Sequence, residues 1–148
     1  MDYSMIKAGL AKAVPMNTHL ALELVEVGDG HGVVRLPDDP KMLNHVGSQH
    51  AAGLFAAAEF ASGAAMTGAL AEHLANATPL AAGANIVYKK LAKGPILATA
   101  RLSEDKAGII ERLTADGRAE FEAAIDMTDE AGVVVATMTV QWNVRKRK

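Results

Sequence analysis

Apolar and polar residues alternate through much of the chain. Over 118–128, Phe121, Ala123, Ile125 and Met127 fall on one side, with Glu120, Glu122, Asp126 and Thr128 on the other. Over 133–144, Val134, Ala136, Met138, Val140, Trp142 and Val144 again share one face. A period of two predicts strands with one buried face. The same reading places strands at 19–27, with Leu20, Leu22 and Leu24 inward, at 31–36 across the turn Gly28-Asp29-Gly30, and at 83–91 and 95–103. Helical spacing of Ile6 and Leu10 predicts a short amphipathic helix over 2–13, and 103–117 reads as another, with Ser103 as N-cap and Gly117 as its stop. The Pro- and Asp-rich stretch 37–49 reads as a loop.

Residues 50–72 follow neither a strand pattern nor that of a surface helix. They hold ten Ala and three Gly, and hardly any charged face. A helix apolar on nearly all sides is buried on nearly all sides. Long strands with one apolar face need a cover, and this helix is the one element apolar enough to supply it. Pro79, in the sequence Asn76-Ala77-Thr78-Pro79, is expected to end it. The expected architecture is therefore α+β: one long Ala-rich helix wrapped by a curved antiparallel sheet of about five to six strands.

Composition narrows the function more than the fold. A chain of 148 residues, half of them hydrophobic, is expected to form one domain, 1–148, with a basic tail at 145–148. Its net charge of −2 offers no general attraction to nucleic acid or to an anionic membrane. There is no Cys, which removes thiol nucleophiles and thiolate metal sites and suits a reducing compartment. No signal-peptide pattern opens the chain, so a cytoplasmic location is expected. The five His show no helical metal spacing, and none of them is assigned to a metal. Nucleophile-elbow, phosphate-loop and dinucleotide motifs are missing as well.

The polar residues around the start of the Ala-rich helix carry a resemblance. Asn44, Gly47, His50 and Glu59 match in spacing the pattern Asn/Gln, Gly, His-Gly-Gly and then a carboxylate nine residues after the His. That pattern belongs to the hotdog-fold acyl-CoA thioesterases, in the branch of the phenylacetyl-CoA and 4-hydroxybenzoyl-CoA enzymes. The stretch 84–94 is similar to that family's third strand, and the resemblance covers about 19–144. The chain departs from the pattern in reading His50-Ala51-Ala52 for His-Gly-Gly and in placing Ala81 where some members use Ser.

The resemblance implies a hotdog fold and hydrolysis of an acyl- or aryl-acyl-CoA, with coenzyme A as part of the substrate and no separate cofactor. It implies Glu59 as base or nucleophile and the Ala51 backbone N–H as oxyanion donor. Asn44 is expected to orient water or the thioester, and His50 to hold the loop or contact the carbonyl. Lys89, Lys90, Lys93 and Arg101 are candidates for the coenzyme A phosphates, being suitable partners for phosphate. Met42, Gly47, Phe55 and Met66 are candidates for the acyl pocket. Eight residues separate Ala51 from Glu59, about 12 Å along a helix. Donor and attacking oxygen must each lie within ~3 Å of the same carbonyl. One chain cannot supply both, so a homodimer with composite sites is expected, extendable to a dimer of dimers. Two other readings stand beside this one: a non-catalytic acyl-CoA-binding protein on the same fold, and a hotdog hydratase or dehydratase.

Overall fold

A computed structural model describes residues 1–147. Helices α1 (Tyr3–Ala13) and α2 (Pro15–His19) lead into strands β1 (Glu23–Gly28) and β2 (His31–Leu36). A single 3-10 turn (Pro40–Met42) then precedes the long helix α3 (Ala51–Leu74). Strands β3 (Ala77–Tyr88) and β4 (Ile96–Leu102), helix α4 (Lys106–Asp116), and strands β5 (Arg118–Thr128) and β6 (Val134–Lys146) complete the chain. The strands form one antiparallel sheet in the order β1-β2-β4-β5-β6-β3.

The sheet curves around α3. The helix packs chiefly on β2 and β4, then on β5 and β1, and least on β3 and β6. By length and composition α3 could cross a bilayer, yet here it is the core helix of the sheet. Its small residues have a steric reason at two crossings. A Cβ added at Gly68 would collide with the carbonyl oxygen of Gly28, and one added at Gly32 would sit 2.5 Å from the carbonyl oxygen of Ala61. Only glycine lets helix and hairpin approach this closely. One buried polar chain crosses the same core. The Trp142 indole N–H donates to Ser62 Oγ at 3.1 Å, and that hydroxyl donates to the Glu59 carbonyl at 2.7 Å.

Several boundaries differ from the sequence expectation. The first strand begins at Glu23, because Pro15 starts α2 and Ala21 turns the chain at a φ of 53°. A register shift after Leu24 leaves Val25 outside the alternation and exposed. Pro79 does not end α3; it lies inside β3, which begins at Ala77 and stops at Tyr88 rather than running from 83 to 91. Proline is tolerated there because β3 is an edge strand with a side free of ladder bonds. Helix α4 is capped by Asp105, not Ser103, with the carboxylate accepting the Ala107 N–H, while Gly117 does stop it at a φ of 69°. Of the basic tail, Arg145 and Lys146 belong to β6. The Arg147 guanidinium donates to the carbonyls of Leu74, the last residue of α3, and Ala77, the first of β3, and Lys148 lies outside the described residues.

Candidate active site

The start of α3 is built by its own flanks. Gln49 is buried, and its Nε2 donates to the carbonyls of Pro37 and Gly94 while its N–H donates to Ala92. These bonds tie the incoming loop to two others and aim the helix. His50 is the N-cap, its Nδ1 accepting the Ala52 N–H at 3.0 Å. A neutral ring that accepts at Nδ1 carries its proton on Nε2, so His50 presents an outward N–H donor. The first intrahelical bond runs from the Leu54 N–H to the His50 carbonyl. The Ala51 N–H meets no acceptor among the described residues. A free amide at the positive end of a 24-residue helix is suited to hold a developing negative charge.

Ala52, Phe55, Ala56 and Glu59 recur at helical spacing along the side of α3 that the sheet does not cover. They line a cavity of about 540 Å³ together with Val14, Met16 and Asn17 from the α1–α2 segment and Tyr88 from the end of β3. Its walls are mainly apolar. Glu59 is partly buried there and makes no ion pair or side-chain hydrogen bond among the described residues. Burial with nothing to offset it pushes the Glu59 carboxyl above its ordinary value near 4.5. A desolvated carboxylate short of partners is a strong acceptor for a water proton. Burial also raises the Tyr88 hydroxyl, which donates to the Ala51 carbonyl at 3.1 Å and so joins β3 to the helix start.

The other expected site residues are spread more widely. Phe55 lines the cavity, whereas Met42, Gly47 and Met66 do not. Met66 is buried in the core about two helical turns beyond Glu59, and Gly47 makes a tight turn at a φ of 75°. Met42 packs toward Gly53. The Asn44 side chain is engaged locally: Oδ1 accepts the N–H groups of Val46 and Ser48, and Nδ2 donates to Ser48 Oγ. It shapes the loop that leads to His50. Lys89, Lys90 and Lys93 are exposed on the segment between β3 and β4. Arg101 stands apart from them. It pairs in register with His31 at the far end of β4, beside Asp29, Glu104 and Lys106. Tyr88, part of the stretch that is similar to the family's third strand, lines the cavity, as do Asn17, Met16 and Val14, which were not singled out in the sequence. Pro15 at the first position of α2 was the available signal for these last three. Among the described residues no cluster of His, Cys, Asp and Glu could hold a metal ion.

No curated protein matches the sequence. Solved structures resemble it over nearly its whole length. A Pseudomonas aeruginosa protein of unknown function, PA5026, described as a probable thioesterase, is 25% identical, with a TM-score of 0.86 over 97% of this chain and 95% of that one. The Escherichia coli PaaI protein from the phenylacetic acid degradation operon is 16% identical, with a TM-score of 0.74 over 98% and 94%. A thioesterase variant of SAV0944 from Staphylococcus aureus is 17% identical, with a TM-score of 0.71 over 89% and 99%. The sheet wrapped around α3 is the hotdog fold of these relatives. A family model described as a domain of unknown function, DUF4442, matches residues 3–144, and the chain belongs to that family.

Proposed function

We propose that the protein is a cytoplasmic acyl-CoA thioesterase acting as a homodimer, with Glu59 as its general base. One observation carries this reading: a carboxylate without a partner among the described residues, in an apolar cavity on the helix whose N-terminal Ala51 N–H is likewise unbonded among them. In the proposed reaction Glu59 takes a proton from water and the oxygen attacks the thioester carbon. The Ala51 N–H of the other subunit, aided by the His50 Nε2–H, holds the oxyanion. Collapse breaks the C–S bond, and the proton returns to the departing thiolate. Asn44 shapes the donor loop, and Lys89, Lys90 and Lys93 meet the coenzyme A phosphates.

Support for the dimer comes from β3. It is a twelve-residue edge strand, exposed along most of its length, with Leu80 66% and Val87 52% accessible. Long apolar edges invite pairing with another strand. Pairing two copies edge to edge would also cover the stretch of sheet that α3 leaves open.

The test is hydrolysis across short, long and aromatic acyl-CoAs, with Glu59→Gln beside the wild type. Turnover that falls by at least about a hundredfold in a folded variant is the expected result. A variant as active as wild type would remove Glu59 from the mechanism. A folded wild type that binds acyl-CoA without turnover would favour the binding protein.

A further inference from the structure

The reaction above gives no part to the Tyr88 hydroxyl. Its donation to the Ala51 carbonyl is the one hydrogen bond between β3 and α3 among the described residues, where the helix otherwise packs little on that strand. The hydroxyl is carried on a fixed point. Tyr88 pairs with Ala136 at the end of β3, and the N–H groups of Lys89 and Lys90 both donate to the Val135 carbonyl just beyond. Burial holds the hydroxyl above its ordinary value near 10.0, so it keeps its proton to donate at neutral and mildly alkaline pH. The carbonyl it reaches belongs to the peptide whose own N–H, that of Ala52, donates to His50 Nδ1 at 3.0 Å. The bonds therefore run in series, from the Tyr88 O–H to the Ala51 carbonyl, across one peptide to the Ala52 N–H, and on to Nδ1. At the end of that series stands the His50 Nε2–H.

We propose that Tyr88 is the positioning residue of the His50 donor, setting the imidazole through the peptide between Ala51 and Ala52. The claim rests on the thioesterase reading only for what the donor serves. In a chain of hydrogen bonds each one polarises the next. Tyr88 thus strengthens the Ala52 N–H as a donor to Nδ1 and fixes the direction in which that N–H points. Both effects keep the ring proton on Nε2 and aim it out of the helix end. Without the hydroxyl the first turn of α3 loses its bond to β3, and the ring gains freedom in tautomer and orientation. An oxyanion donor that is not held in advance stabilises the developing charge less.

Tyr88→Phe keeps the ring and removes only the hydroxyl. Its kcat for acyl-CoA hydrolysis is expected to fall about tenfold with KM little changed, less than the ~100-fold or more that follows removal of a donor outright. The same change is then made in His50→Ser, where serine still caps the helix but offers no Nε2–H. There it should cost less than about twofold, because the group it acts through is gone. A folded Tyr88→Phe with wild-type kcat, or an equal fall in both backgrounds, would overturn the proposal. The equal fall is what a mere staple between strand and helix would give. Nitrogen NMR of labelled imidazoles tests the claim without turnover. Wild type should show His50, identified by its loss in His50→Ser, as a single tautomer with Nδ1 unprotonated. Tyr88→Phe should move both ring nitrogens toward the values of a ring exchanging between tautomers. Ring signals unchanged in Tyr88→Phe would overturn the positioning role and leave the hydrolase standing. The expected change in a protein that hydrolyses no acyl-CoA would sustain the role of Tyr88 and remove the hydrolase.

Discussion

Glu59 couples chemistry to stability through one carboxyl group. Its folded-state affinity for the proton is raised by burial, so between the unfolded and folded values the native state binds more protons. Stability from this group is therefore greatest below the unfolded value and falls as pH rises through the folded one. Glu59→Gln is expected to be more stable than wild type at neutral pH, with the difference vanishing in acid, as thermal unfolding across pH will show. The pH–rate profile should rise through an apparent value above 4.5, the ordinary one for a Glu, because only the ionised form accepts a proton. Glu59 stood out in the sequence because it falls nine residues after His50, where the resembled pattern has its carboxylate, and because a carboxylate in an Ala-rich buried helix is costly to leave unpaired. Asn17 did not, since nothing in "PMNTH" reports that the segment folds back over a helix far along the chain. Asn44 and His50 were legible as residues of the helix start, but their observed bonds are a loop clamp and a cap, and spacing alone does not distinguish those from contact with substrate.

Within α3, glycines of equal helix propensity do different things. Gly68 lies against the Gly28 carbonyl, whereas a Cβ at Gly63 would meet the Trp142 ring at an ordinary 3.6 Å. Gly68→Ala should therefore destabilise by about 1–3 kcal/mol or more through overpacking. Gly63→Ala should be neutral or stabilise by about 0.5–1 kcal/mol, as helix propensity dictates. Denaturant unfolding of the two variants will separate them. Ser62→Ala should cost about 1–3 kcal/mol, since it leaves the buried Trp142 indole N–H without an acceptor. The strands of the second half were readable because a one-sided sheet writes its burial directly as alternation, and Phe121 to Met127 follow it without exception. The start of β3 was not, since a Pro that would disrupt an interior strand is harmless on an edge, and edge or centre is decided by the whole sheet.

At the level of the molecule, β3 links assembly to activity. If two copies pair along this edge and share their helix ends, separating them should silence both sites without unfolding either chain. Leu80→Lys with Val87→Lys places charge on the exposed edge and is expected to yield a folded monomer by sedimentation, with thioester hydrolysis lost. An active monomer would end the composite-site reading. Wild-type specific activity should likewise fall on dilution through the dissociation range.

The contacts of Gly32 and Gly68 with opposing backbone lock α3 against the hairpin like a key in its ward. A helix held so cannot slide along its axis, and the face bearing Ala52, Phe55, Ala56 and Glu59 keeps a fixed position. Adaptation to a larger or differently shaped acyl group must then come from the opposite wall, where Val14, Met16 and Asn17 lie outside the sheet and Tyr88 ends β3. The two walls are thus free to diverge independently. Among proteins of this family, exchanging the first twenty or so residues should carry substrate preference from one to another while leaving the reaction itself behind.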